Sequence, residues 1–314
     1  MKRLQSFCSI FLCCFIAGQT VAQTYSPDES RERDFWKSSD RVHQATTIYY
    51  NRQLSTYSKP RPFEFITKLP ADFSHMGPML TSREGLLLTA GVGLLSYGLI
   101  RVDQQATNWI SKTSVKWDID NETSYDVLLK LGKTKILQVP NNSTTLFYQL
   151  GQGGTSLLLA GSIWAYGKLW HDYRATATAS DITRTFISLA ILTQAIKRIT
   201  GRESPFMATA PGGRWKLFPS FSAFQKNTPA YDAFPSGHLS TLMATITVLK
   251  ENYPEKKWIG PVGYGLMGIC MWTMADIQVH WIGDYPLAIA IGYLSAKAST
   301  WEHRQKKIKM LPHY

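Results

Sequence analysis

Six stretches of the 314-residue chain carry no charged side chain: residues 85–100, 154–167, 185–196, 239–249, 258–275 and 285–296. None alternates apolar and polar residues with the period of two that a half-buried strand requires, so each is expected to be a helix. Most are 11 to 16 residues long, short of the ~20 needed to cross a bilayer; only 258–275 reaches eighteen. The expectation is an all-α fold, a helical bundle of about six core helices with a polar N-terminal extension. Aromatics make up 12% of the chain, enough large apolar surface to rule out a wholly disordered protein.

The first residues read differently. Lys2 and Arg3 precede an apolar run over 7–18, and Thr20, Val21 and Ala22 provide small residues for cleavage, the pattern of a secretory signal peptide over residues 1–22. The apolar run falls short of the ~20 residues of a spanning helix, which leaves an uncleaved anchor as the lesser alternative, and Phe11 and Leu12 stand where lipoprotein processing before Cys13 or Cys14 needs small residues. Cleavage would remove Cys8, Cys13 and Cys14, leaving Cys270 as a buried thiol with no disulfide partner. It would also take the net charge from +12 to +10, because two basic and no acidic residues depart. Such a charge suits an anionic partner; export and the lack of basic runs interleaved with aromatics argue against nucleic acid.

Residues 23–80 are polar and proline-bearing, an extension with Trp36 and Phe63 as candidates to pin it to the body. The body is expected over 81–302, opened by a capping box at Thr81-Ser82-Arg83-Glu84, with a basic tail over 303–314. The loop between Pro205 and Pro235 is long and rich in Pro, Gly and aromatic residues, a form that is usually functional. Gly151-Gln152-Gly153-Gly154 lacks the strand and lysine of a phosphate loop and reads as a flexible helix entry.

Three clusters border the long loop: 197–205 (KRITGRESP), 234–238 (FPSGH) and 280–284 (HWIGD). Ser236 and Gly237 sit just before an apolar helix, whose free N–H groups and dipole favour an anion. His280 and Asp284 are four residues apart; on one helical turn the carboxylate would hold one ring nitrogen and leave the other as a nucleophile. Pro286 requires that a helix start or kink within that stretch. Lys197 and Arg202 supply cations for phosphoryl oxygens, and His238 can protonate a leaving oxygen. Each signal alone is common in structural roles. His238, His280 and Asp284 as zinc ligands would match no common spacing, and His43, His75, His171, His303 and His313 read as surface residues.

In order and spacing, the clusters resemble the superfamily of type-2 phosphatidic acid phosphatases, bacterial acid phosphatases and vanadium haloperoxidases. Its pattern is K-x6-R-P, then P-S-G-H, then S-R-x5-H-x3-D. Pro235-Ser236-Gly237-His238 match in full, as do His280 and Asp284 with their gap. The resemblance, over about residues 81–300, implies a helical bundle and phosphate-ester hydrolysis with no metal or other cofactor. It also implies a phosphohistidine at His280, Asp284 orienting that ring, His238 as general acid, and Lys197, Arg202, Ser236 and Gly237 around the phosphate. Two family arginines are absent: Ser204 precedes Pro205, and Thr273-Met274 replaces Ser-Arg. Each lost charge-assisted bond would weaken phosphate binding by about 1.5–3 kcal/mol, so Arg202, Arg214 and Lys216 are the candidates to compensate.

The leading expectation is therefore an exported phosphatase, periplasmic or in the cell envelope, acting on phosphomonoesters or lipid phosphates and diphosphates. The partner is a phosphorylated small molecule or lipid, with membrane association and no nucleic acid. A soluble or membrane-associated body is favoured over a multi-pass protein. After cleavage, three crossings would put Lys197 inside, whereas the resemblance implies a site outside. The alternatives are a phosphate-ligand binder with little turnover and, behind it, a vanadate-dependent haloperoxidase.

Overall fold

The computed structural model describes residues 35–303 apart from 42–43, 51–52 and 133. Residues 1–22, read above as a signal peptide, the first three cysteines, His43, His313 and the tail beyond 303 lie outside the described residues, as does the side chain of Trp36.

The helical expectation holds. The apolar segments become α3 (Arg83–Ile100), α6 (Gly153–Leu169), α7 (Tyr173–Thr200), α9 (Gly237–Asn252), α10 (Ile259–Asp276) and α11 (Tyr285–Ser299). Further helices are α1 (Glu64–Thr67), α2 (Leu69–Thr81), α4 (Asp103–Lys116), α5 (Ser143–Leu150) and α8 (Phe221–Lys226). The bundle centres on α7. Its Ala175, Ala179, Ile182 and Leu189 pack with Ala160 and Ile163 of α6, Ala244 and Val248 of α9, and Ile291 of α11. A second apolar cluster joins Leu239, Leu242 and Ile246 of α9 to Cys270 and Met274 of α10 and Tyr285 and Ala288 of α11. Cys270 is fully buried and its thiol is pushed up to about 12 by burial, the behaviour of a small hydrophobe.

Polar networks fasten the ends of the bundle. Arg184, buried in α7, meets Asp72 of α2 at 3.2 Å and Asp181 at 3.4 Å, and donates to the Ser299 carbonyl. His303 is no simple surface residue: its ring lies 3.0 Å from Asp181 and packs on Tyr57 at 4.7 Å. His75 is half-buried against Trp301 and bonded to the Ala71 carbonyl, while His171 is exposed.

Three features differ from the sequence reading. The segment read as irregular contains an antiparallel meander, β1 (Phe35–Asp40), β2 (Ala45–Tyr50) and β3 (Gln53–Ser58), and α1 and α2 follow before residue 81. Phe63 does not pin it, being 67% exposed; Ile48 and Tyr57 do, packed on Ala177 of α7, with Lys37 paired to Asp172 at 2.7 Å. A hairpin, β4 (Tyr125–Leu131) and β5 (Thr134–Pro140), leads into α5. Finally, the cap of α3 is Ser82, whose hydroxyl accepts from Gly85 N–H at 3.0 Å; Thr81 ends α2 and donates to the Gly77 carbonyl. The hydroxyl–Glu spacing of a capping box is thus one residue out of register with the cap that forms.

Among the described residues no single helix is long and apolar enough to cross a membrane. The pair α3 and α4, bent by 66°, passes that test of length and composition together.

Candidate active site

The three clusters converge at one end of the bundle. Lys197 comes from the last turn of α7, which ends at Gly201 in the left-handed conformation (φ 52°). A side chain there would meet the Lys216 carbonyl at 2.0 Å, so both backbone and packing demand glycine. The long loop then runs as a stitched surface. Lys216 N–H donates to the Gly201 carbonyl, Glu203 N–H to Arg214, Ser204 N–H to Pro229 and Ala233 N–H to Arg202, each at 2.9–3.0 Å.

Ser236 caps α9, its hydroxyl accepting from Leu239 N–H at 3.4 Å and lying 3.7 Å from the Met274 sulfur. That hydroxyl is fully buried, so Ser236 shapes the helix start and faces α10 with its side chain. A Cβ on Gly237 would sit 3.8 Å from the Lys197 ammonium. The ammonium and the free N–H end of α9 are thus neighbours, and both favour an anion. Lys197 is 6% exposed and lies 3.6 Å from Asp232.

His280 does not share a helix with Asp284. α10 stops at Asp276, a 3-10 turn covers Ile282–Asp284, and α11 begins at Tyr285 with Pro286 in its first turn, the start that this proline requires. The expected His280–Asp284 hydrogen bond is replaced: Nδ1 is 3.7 Å from the carboxylate but 2.8 Å from the Ala233 carbonyl. A carbonyl only accepts, so Nδ1 carries the proton and Nε2 keeps its lone pair. The ring is 3% exposed, and burial, reinforced by Lys197, pushes its pKa down to about 3. Nitrogen-15 imidazole spectra should therefore show the neutral Nδ1–H tautomer from about pH 8 to about pH 5; a midpoint near the ordinary 6.5 would contradict this geometry.

Asp284 is held elsewhere. Its Oδ2 accepts from Trp281 N–H at 2.8 Å and its Oδ1 from Arg202 at 2.5 Å. The same guanidinium donates to Asp103 of α4 at 2.5 Å and to the Gly212 carbonyl at 2.8 Å, and Asp103 in turn accepts from Gly283 N–H at 2.8 Å. Arg202, Asp103 and Asp284 are each fully buried. Burial lifts Asp284 to about 6 despite the guanidinium beside it. Arg202 thus spends both terminal nitrogens on protein oxygens, where the sequence reading had them on phosphate.

The other candidate cations are engaged or exposed. Lys216 is 2.8 Å from Glu203, whose carboxyl is brought down to about 2 because this ammonium and the Thr209 and Arg214 N–H groups outweigh its burial. Arg214 is exposed. Met274 is fully buried apolar packing, Thr273 bonds its own helix at Ile269, and Ser204 is buried with its N–H on Pro229.

His238 faces the site from the first turn of α9, with its ring 5.8 Å from that of His280 and nearly perpendicular to it. Burial, then His280 and Lys197, hold its pKa well below the usual histidine range. Among the described residues no group of three or more His, Cys, Asp or Glu is arranged to hold a metal ion. Asp103, Asp232 and the Ala233 carbonyl were missed in the sequence. Asp232 lies in the loop already marked as functional, but no motif surrounds Asp103.

Two facing histidines and a buried ammonium thus meet at a helix N-terminus in a helical protein, groups whose charge and dipole favour an anion. Residues 180–308 match the family model described as PAP2 superfamily, and the resemblance carried by the motifs holds over that segment. The match supports phosphatase-type activity; α1 to α6 lie before it. A similar solved structure is "Crystal structure of the first transmembrane PAP2 type phosphatidylglycerolphosphate phosphatase from Bacillus subtilis", at 15% identity and a TM-score of 0.42, covering 69% of this chain and 94% of that one. No curated protein matches.

Proposed function

We propose that this chain is an exported, metal-independent phosphatase of phosphomonoesters or lipid phosphates and diphosphates. The observation that carries the reading is the free Nε2 of His280, fixed by the Ala233 carbonyl beside Lys197 and His238. A phosphoryl group held by the Lys197 ammonium and the Ser236–Gly237 helix start lies in the path of that lone pair. Nε2 bonds to phosphorus as the ester P–O bond breaks, and the departing oxygen takes a proton from His238. Water then attacks the phosphohistidine, giving its proton to His238, and phosphate leaves as the N–P bond breaks. His238 is neutral in the free site; an arriving phosphate anion favours its protonated form.

Lipid substrates and membrane association are supported by exposed apolar side chains on α3 (Leu86, Leu87, Leu94), on the long loop (Leu217, Phe218) and at the start of α8 (Phe221). The proposed division keeps the signal peptide at 1–22, the extension at 23–80, the phosphatase-like unit at 81–302 and the tail after it. The test is phosphate release from phosphatidic acid in detergent and from a soluble phosphomonoester, both in EDTA. Release from either is the expected result, and none from any phosphate ester at any pH would overturn the reading.

A second reading has a specific basis. With Arg202 tied to two carboxylates, Lys216 to Glu203 and an apolar Met274 in a family arginine's place, the site holds fewer free cations than the motif implies. A phosphate-ligand binder with little turnover would show calorimetric binding of phosphate without hydrolysis in the same experiment.

A further inference from the structure

The glycine-rich turn between α5 and α6 lies against the site. The ring of Tyr148, in the last turn of α5, packs on the His238 imidazole with centroids 4.5 Å apart and planes at 32°. Gly151, the C-cap of α5, approaches so closely that a Cβ on it would meet His238 Cβ at 2.7 Å and His238 Cα at 3.1 Å. This turn is anchored from below, since Tyr148 and Leu150 pack on the cluster of Leu239, Cys270 and Met274, and Gly151 N–H faces the Cys270 thiol. Among the described residues nothing hydrogen-bonds the His238 ring. Its orientation rests on packing, and Tyr148 and Gly151 provide that packing on one face and at the Cβ.

We propose that Tyr148 and Gly151 are positioning residues that hold His238 where it can protonate a leaving oxygen. This rests on the reading of His238 as general acid. An alkoxide leaving group needs the proton as the P–O bond breaks, whereas p-nitrophenolate is stable enough to leave without it. Loss of positioning is therefore selective, and a general loss of structure is not.

The experiment compares glycerol phosphate with p-nitrophenyl phosphate. Tyr148→Ala and Gly151→Ala should slow the alkyl ester by about 10- to 100-fold, a partial loss of the roughly 10²–10⁴ that a general acid supplies, and the aryl ester by less than about 3-fold. Tyr148→Phe keeps the ring and should keep both rates. Equal losses on both esters, or no loss in Tyr148→Ala, would overturn the proposal. If the wild-type protein hydrolyses neither of these soluble esters, the positioning is still decided, separately from the function reading, by the nuclear Overhauser contact between the His238 and His280 rings. That contact should survive in Tyr148→Phe and vanish in Tyr148→Ala; its retention in Tyr148→Ala would overturn the proposal independently of turnover.

Discussion

Replacing Arg202 with alanine is expected to destabilise the fold by about 3–5 kcal/mol, the cost typical of leaving buried charges without their partner. The guanidinium is fully buried between Asp284 and Asp103, 2.5 Å from each, and lies over the rings of Trp215 and Trp281 at 4.8 and 5.4 Å. Removing it leaves two buried carboxylates facing each other's charge. Burial already raises Asp284 to about 6, with Arg202 the main influence holding it down, so its pKa in the variant must climb further. A carboxyl whose folded pKa lies above its unfolded value is penalised as pH rises from the unfolded value through the folded one. The deficit should therefore be small near the ordinary 3.8 and fully developed above neutrality. Urea unfolding at about pH 5 and about pH 8 reads this directly. A variant within about 1 kcal/mol of the wild type at the higher pH would show that the pairs contribute little. Arg202→Lys should not restore stability, because one ammonium cannot fork across two carboxylates and the Gly212 carbonyl.

His280→Ala should lower phosphate release by at least about 10³-fold, the scale on which a covalent nucleophile's removal is felt. The free Nε2 is the atom at stake. The bond to Ala233 is a single one, worth about 1 kcal/mol, so this variant should fold and still bind inorganic phosphate through Lys197 and the start of α9. The second readout is the intermediate: rapid quenching of the wild type with radiolabelled substrate should trap an acid-labile phosphoprotein that His280→Ala does not form. Turnover within about tenfold of the wild type would remove His280 from the reaction. Turnover lost without any trapped intermediate in the wild type would point to His280 acting by proton transfer.

These two arginine and histidine results bear on different parts of the site. The Arg202 pairs join α4, the loop after α7 and the turn before α11, so that variant tests how the catalytic turn is held. His280→Ala tests the chemistry proposed for that turn. A loss of activity in Arg202→Ala should accordingly come with loosened structure around 280–284, visible as faster amide exchange at Trp281 and Gly283, whose N–H groups bond Asp284 and Asp103.

The fold was legible where physical constraints are local. Charge-free runs of helical length marked the core helices, Ser236-Gly237 marked the start of α9, and Pro286 marked the start of α11. The meander escaped because its strands are six residues each and rich in Ser and Thr. Its buried apolar side chains Ile48 and Tyr57 find their partner on α7, more than a hundred residues later. In the site, Lys197, His238 and His280 were read from their motifs. The partner of His280 was not, because four-residue spacing implies a contact only on a continuous helix, and the chain from Ile277 to Trp281 is not helical.

By itself the sequence determined the helical bundle, the side chains proposed to carry the chemistry and the places where arginines of the resembled family are missing. Only the tertiary structure decided what those side chains are free to do. Arg202 looked available because an arginine near a phosphate motif has no visible partner in a linear chain. Asp103, 99 residues away, and Asp284, 82 away, reach it only after folding. Buried charge must be neutralised where it lies, so the guanidinium went to the two carboxylates, and the Ala233 carbonyl took the His280 proton that Asp284 had seemed placed to hold.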